Sequence, residues 1–235
     1  MRRSLIILAV LLLAWSTCRA DGPMINSYRY AATSSPTYVL STNWEETGQP
    51  SGWTTYTDGG SGSVNYDYTT SPAPLVGSQS LYLYQTGGRR YEYIVFGDTS
   101  PCYVYVIAVV KTASSTNSPI FHIDDADING LFIVRRESTN GYARVTDLIS
   151  ETDHDTTVAL TVGSAYQFWF ERSTGGTVSL YIAAAGASKP GTAAVSFTAG
   201  SSAHWGMIAL TAEYSGENIF DKLRVDDVTI GSSPE

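Results

Sequence analysis

The 235-residue sequence predicts an all-β fold, a two-sheet antiparallel jelly-roll β-sandwich. Three observations carry this. The hydrophobic period is two, as in "QSLYLY" and "YEYIVF", so alternate residues face opposite sides of a strand. Gly-, Ser- and Asn-rich turns separate many short apolar runs at regular spacing. No stretch shows the wider period of an amphipathic helix.

The first residues read as a secretory signal, with Arg2 and Arg3 followed by a short apolar run from Leu5 to Ala14 and cleavage after Ala20. The apolar run is too short to span a membrane comfortably. A lipidated Cys18 fits poorly after Trp15-Ser16-Thr17. Residues 21–235 then form a single secreted domain, extracellular or periplasmic, that opens with a first strand or an extended arm before about residue 38.

The strands follow in order. "VNYDY" and "QSLYLY" lead to "YEYIVF" and then to "CYVYVIAVV", whose unbroken apolar run suits a strand buried on both faces. "INGLFIVRR" and "GYARVTDL" are joined through "ESTNG", where Asn140-Gly141 is a strong turn signal. "AYQFWFER" and "TVSLYIAA" flank a Thr-Gly-Gly turn, and "HWGMIALTAE" and "DKLRVDDVTI" close the sandwich. "YTDGGSGS" and "ATSSP" read as loops and the final "GSSPE" as a frayed end.

Composition excludes some functions. Lys and Arg number 14 against 22 Asp and Glu, a net charge of −8, and loss of the leader removes Arg2, Arg3 and Arg19. Such a surface repels phosphate backbones, so nucleic acid is not an expected partner. Cys102 alone remains after the leader, so no disulfide forms within a monomer and the core must suffice. As the head of the most apolar strand, Cys102 reads as an inert buried thiol, and the protein as a monomer.

One hairpin can be registered from its own pattern. A three-residue loop, Thr174-Gly175-Gly176, sets Phe168 opposite Ile182 and Phe170 opposite Leu180, keeping the apolar phases together. Trp169 then faces Tyr181 on the other side, beside Gln167 and Glu171. An aromatic pair among polar groups is a surface on which a sugar ring stacks, so Trp169, Tyr181 and Gln167 are candidate glycan ligands. Tyr66 and Tyr68 of "VNYDY" are the next candidates. The competing reading is a cross-strand pair that stabilises an outer face or lies beneath a loop.

The opening "NWEETGQPSGWT", the entry "PLVGSQSLYL" and the close "FDKLRVDDVTI" together resemble jelly-roll carbohydrate-binding modules and concanavalin A-like (laminin G-like) domains. The resemblance spans about residues 43–230 and implies a lectin-like, non-catalytic glycan-binding protein. It also implies a structural calcium held between first and last strands, with Glu45 and Asp227 as the carboxylates. The residues add support. Leu223 and Val225 share one phase and Val228 and Ile230 the other, so a bulge at Asp226-Asp227 would re-aim an acidic side chain. Two carboxylates still need carbonyls and water to fill calcium's six to eight positions. Ordinary solvated acids are the plainer alternative.

Other chemistry is thinner. In "DADING", Asp125, Asp127, Asn129 and Gly130 match half a calcium loop, but Arg136 stands where a bidentate Glu belongs, so a polar hairpin turn is preferred. Glu151, Asp153 and Asp155 would line one face of a strand, as glycosidase acids must, yet "ETDHD" reads as a polar loop. Concanavalin A-like glucanases add a further Glu that is missing here. His122, His154 and His204 lack metal spacing. Lyases of this fold cluster Arg, Gln, His and Tyr, which "GGRRYEY" and "IFHID" echo. A polysaccharide hydrolase or lyase is therefore the alternative function, and a structural or adhesive surface protein the second alternative.

Overall fold

The computed structural model describes residues 38–42, 44–58, 62–66, 76–85, 89–99, 102–112, 118–125, 130–137, 139–200, 205–213 and 222–231. The leader, Tyr68, Asp127, Asn129 and His204 lie outside them, as do the side chains of Cys102 and Asp227.

Fifteen strands and no helix occur among the described residues: β1 (Tyr38–Thr42), β2 (Thr54–Asp58), β3 (Gly62–Asn65), β4 (Leu81–Gln85), β5 (Arg89–Thr99), β6 (Cys102–Thr112), β7 (Ser118–Asp124), β8 (Gly130–Arg136), β9 (Tyr142–Asp147), β10 (Thr152–Ala159), β11 (Ala165–Arg172), β12 (Thr177–Ala184), β13 (Val195–Thr198), β14 (Trp205–Glu213) and β15 (Lys222–Gly231). No helix long and apolar enough to cross a membrane is among them. Two antiparallel sheets pack as a sandwich. The first runs β13-β12-β11-β6-β15-β4-β3, with β1 also paired to β15, and the second runs β10-β9-β8-β7-β14-β5-β2.

The expected β6 lies where its composition requires, between β11 and β15 in the first sheet. Val104, Val106, Ala108 and Val110 enter the core between the sheets, while Tyr103, Tyr105 and Ile107 join a second apolar cluster on the opposite face. The inner core is strongly aromatic. Phe170 stacks on Trp205 at 4.9 Å, and Phe132 meets both, edge-on at 5.6 and 5.8 Å. Such pairs add to the stabilisation that burial alone provides.

The β11–β12 hairpin has the register expected of a three-residue loop. Phe168 pairs with Ile182, Trp169 with Tyr181 and Phe170 with Leu180, while Gly176 takes φ +81° in the turn. The slip in β15 is also a bulge. Val225 faces Ala108 and Asp227 faces Ile107, so Asp226 is the extra residue. There β15 exchanges one neighbour for another. Its first half pairs with β4 and its second half with β1. Asp226 is buried at this junction and accepts a hydrogen bond from Ser80 Oγ at 2.9 Å. In the Asn140-Gly141 turn, Gly141 adopts φ +75° and Tyr142 N–H donates to Asn140 Oδ1.

The correction concerns "ETDHD". It is not a loop. Glu151 sits in the turn at φ +52°, and Asp153 and Asp155 lie on β10, at the edge of the second sheet. Half of this strand faces water, so apolar alternation was not required of it, and edge strands commonly carry charge. Asp153 pairs with Arg135 and Arg144 at 3.0 Å each, and Arg144 also binds Asp155. The carboxylates therefore hold β8, β9 and β10 together.

Candidate functional site

The aromatic pair on the first sheet is not an open platform. Trp169 is 2% exposed and Gln167 fully buried. The segment after β12 folds back over them. Gln167 Nε2 donates to the carbonyls of Ala184 and Ala187, and its Oε1 accepts from Tyr105 OH at 2.7 Å. Lys189 pairs with Glu171 and sits 4.7 Å from the centre of the Tyr181 ring. Trp169 packs against Tyr105 at 5.3 Å instead of presenting a free face. The physical reason is economy of apolar surface: Tyr103, Tyr105, Ile107 and Trp169 form one cluster, and a connecting loop covers it.

Near the opening segment, Trp44 and Trp53 are buried 5.0 Å apart, and Trp44 is held at φ +62°. Between them, Gln49 reaches across to the buried Glu92, which accepts from Gln49 Nε2 at 2.8 Å and Thr55 Oγ1 at 2.7 Å. Tyr66 joins this network through Thr55 Oγ1, and burial pushes its phenol up to about 12. It too is a packed, bonded residue and not a free ring. Glu45 anchors a loop. Its carboxylate accepts from the N–H groups of Ser78 and Gln79, at 2.6 and 2.9 Å, and from Ser78 Oγ. Burial raises its pKa, but these bonds outweigh that and hold it below the usual value. Two of the groups bound to Glu45 are backbone N–H donors, whereas calcium takes oxygen atoms. Among the described residues no group of three or more potential metal ligands occurs.

An open site lies on the outward face of the second sheet. Tyr91 and Tyr93 on β5, His122 and Asp124 on β7, Ile133 on β8 and Met207 and Ala209 on β14 line a cleft of about 590 Å³. Tyr56, Gly130 and Leu148 complete it. These positions alternate with Ile94, Phe121, Ile123, Val134, Ile208 and Leu210, which belong to the core between the sheets. The period of two therefore places them outside.

The floor follows from the register. Ala209 pairs with Tyr93 on one side and His122 on the other, and His122 pairs with Ile133. A small residue between larger ones leaves a trough, with Tyr93 and His122 two strand spacings apart, about 9.6 Å. The second sheet's next row brings Tyr56 opposite Tyr91, with their rings 6.0 Å apart. The edge of one ring meets the other where Tyr91 contacts His122 at 5.5 Å. Tyr56 is 53% exposed at the rim, and Asp124 only 7% exposed at the floor. Burial pushes the Asp124 carboxyl up to about 6, against the hydrogen bond it accepts from Leu131 N–H, and Asp125 raises it further.

Trp169, Tyr181, Gln167 and Tyr66, the described residues expected from the sequence to bind a glycan, do not line this cleft. The signal was nevertheless present. Tyr91 and Tyr93 come from "GGRRYEY" and His122 and Asp124 from "IFHID", each pair spaced by two. What was missing is that β14 lies between the two strands and joins them.

No protein-family model matches this chain, and no curated protein matches its sequence. Solved structures match its fold. A cellulose-induced protein, Cip1, aligns with a TM-score of 0.62 and 17% identity, over 83% of this chain and 97% of its own. An endo-β-1,4-glucuronan lyase from the fungus Trichoderma reesei aligns with a TM-score of 0.55 and 14% identity, over 84% and 96%. A sialidase gives 0.60 and 10%, over 84% of this chain and 19% of that one. At these identities the likeness is one of fold, and these neighbours are carbohydrate-related sandwich proteins.

Proposed function

We propose that this protein is a secreted, lectin-like glycan-binding β-sandwich, and that its binding site is the cleft on the second sheet. The observation that carries the reading is the lining itself: three tyrosines around a trough, with His122 and Asp124 as polar groups. Aromatic surface stacks on the apolar faces of sugar rings, and a few fixed polar groups orient hydroxyls. Ligand clefts commonly measure about 300–1,000 Å³.

Binding is favoured over turnover by what the lining contains. Asp124 is the single carboxylate among the described lining residues, whereas glycoside hydrolysis normally uses two. Eliminating a uronate is helped by a positive group that neutralises the sugar carboxylate, and the described lining residues include no Lys or Arg. The contact between Tyr91 and His122 is the one feature that favours a lyase, since both residue types move protons.

Affinity electrophoresis against a panel of soluble polysaccharides tests the proposal, with Tyr56→Ala as the variant because its exposed ring contributes little to the core. A polysaccharide that retards the parent should retard Tyr56→Ala far less, and a main anchor is worth about 2 kcal/mol. Equal retardation removes the cleft from the account. New reducing or unsaturated ends in the gel would turn the reading toward an enzyme. No retardation by any glycan favours an adhesive protein with a protein ligand.

A further inference from the structure

Asp124 is an unusual floor for such a cleft. Its carboxylate takes a hydrogen bond from Leu131 N–H, yet its Oδ1 is buried with no hydrogen-bond partner among the described residues. A buried carboxylate oxygen left without a donor is costly, so a ligand that supplies one is strongly favoured. Gly130 sets no side chain against that oxygen. A side chain there would place its Cβ 3.6 Å from Oδ1.

Charge narrows the ligand class. Among the described residues no Lys or Arg lines the cleft. Two arginines farther along the same face are already engaged, Arg135 by Asp153 and Arg144 by Asp153 and Asp155. Among the described lining residues a uronic acid would meet Asp124 without a compensating cation. An ammonium group has the opposite fit. It brings three N–H donors and a positive charge to Oδ1, and the π-systems of the neighbouring tyrosines attract cations.

Resting on the glycan-binding reading, we infer that the cleft selects sugars with a free amino group, the deacetylated amino sugars, whose ammonium donates to Asp124 Oδ1. The tyrosines hold the ring, and Asp124 distinguishes one sugar from another.

Titration calorimetry on the full mature chain near neutral pH tests this. The probes are glucosamine oligomers, N-acetylglucosamine oligomers of the same length, and oligoglucuronate. The amino oligomer should bind about tenfold or more tighter than the acetylated one, the step that 1.4 kcal/mol confers, and oligoglucuronate should bind weakest. Asp124→Asn should erase the ratio between amino and acetylated oligomers. Glu151→Gln removes one charge from an exposed turn outside the cleft and should preserve it.

Equal binding of the two oligomers by the parent overturns the inference and leaves the glycan-binding reading standing. A ratio that survives in Asp124→Asn also overturns it, by assigning the preference to overall acidity. Absence of binding by every oligomer overturns the inference, and the polysaccharide panel then decides the glycan-binding reading. The ratio in the parent decides the matter even if Asp124→Asn fails to fold.

Discussion

Replacing Asp124 by Asn removes a charge that the fold holds at a cost. Burial lifts this carboxyl from an ordinary 3.8 to about 6. In the folded state the proton is therefore held more tightly than in the unfolded chain. The stability associated with the protonated form is fully present below about pH 4 and is lost as pH rises through about 6. At about 1.36 kcal/mol for each pH unit, the ionised form carries a penalty of ~3 kcal/mol near neutrality. Asn cannot ionise and keeps an oxygen for Leu131 N–H, but its new amide hydrogens need partners, which costs about 1 kcal/mol or more. The variant should thus be more stable than the parent near neutral pH by ~1–2 kcal/mol. For a domain of this size that is a rise of ~2–8 °C in Tm. Scanning calorimetry across the acid and neutral range reads it, and below about pH 4, where the parent carboxyl is protonated, the gain should vanish and the variant should melt lower by the ~1 kcal/mol that its amide hydrogens cost. A variant that melts lower than the parent at neutral pH would refute the argument, because it would mean that a cation already stabilises the charge. A gain independent of pH would refute it equally.

Two further outcomes follow from the packing. Trp169→Ala should destabilise the fold by ~3–5 kcal/mol in urea melts, because it empties a buried site on the first sheet, and a parent-like midpoint would show that the ring is not enclosed. The calcium proposal for Glu45 and Asp227 predicts ~2.7 kcal/mol of added stability at about 100 times the dissociation constant. An equal melt in calcium and in chelator would leave Glu45 as a loop anchor, through its bonds to Ser78 and Gln79.

The fold was largely legible because strand pattern is local. Alternation located β4 and β5, an unbroken apolar run located β6, and the phases on either side of the Thr-Gly-Gly turn were enough to set Trp169 of β11 against Tyr181 of β12. The phase slip in "LRVDDVTI" likewise located the β15 bulge, since a period of two cannot otherwise keep Val225 and Val228 on one face. Edge strands escaped. β10 carries Thr and Asp where a covered strand would carry apolar residues, because Arg135 and Arg144 satisfy its outer face in place of a core.

The site was decided by contacts far apart in the chain. Local pattern places Trp169 and Tyr181 side by side, but the return of Ala187 and Lys189 over that face determines that it is closed. Spacing by two places Tyr91 with Tyr93 and His122 with Asp124, yet only insertion of β14, with Ala209 at its centre, makes a cleft of the two pairs. Side-chain direction along a strand is a property of neighbouring residues. Exposure and strand order depend on which distant segments come to lie beside it, and that is settled by burying the whole apolar surface at once.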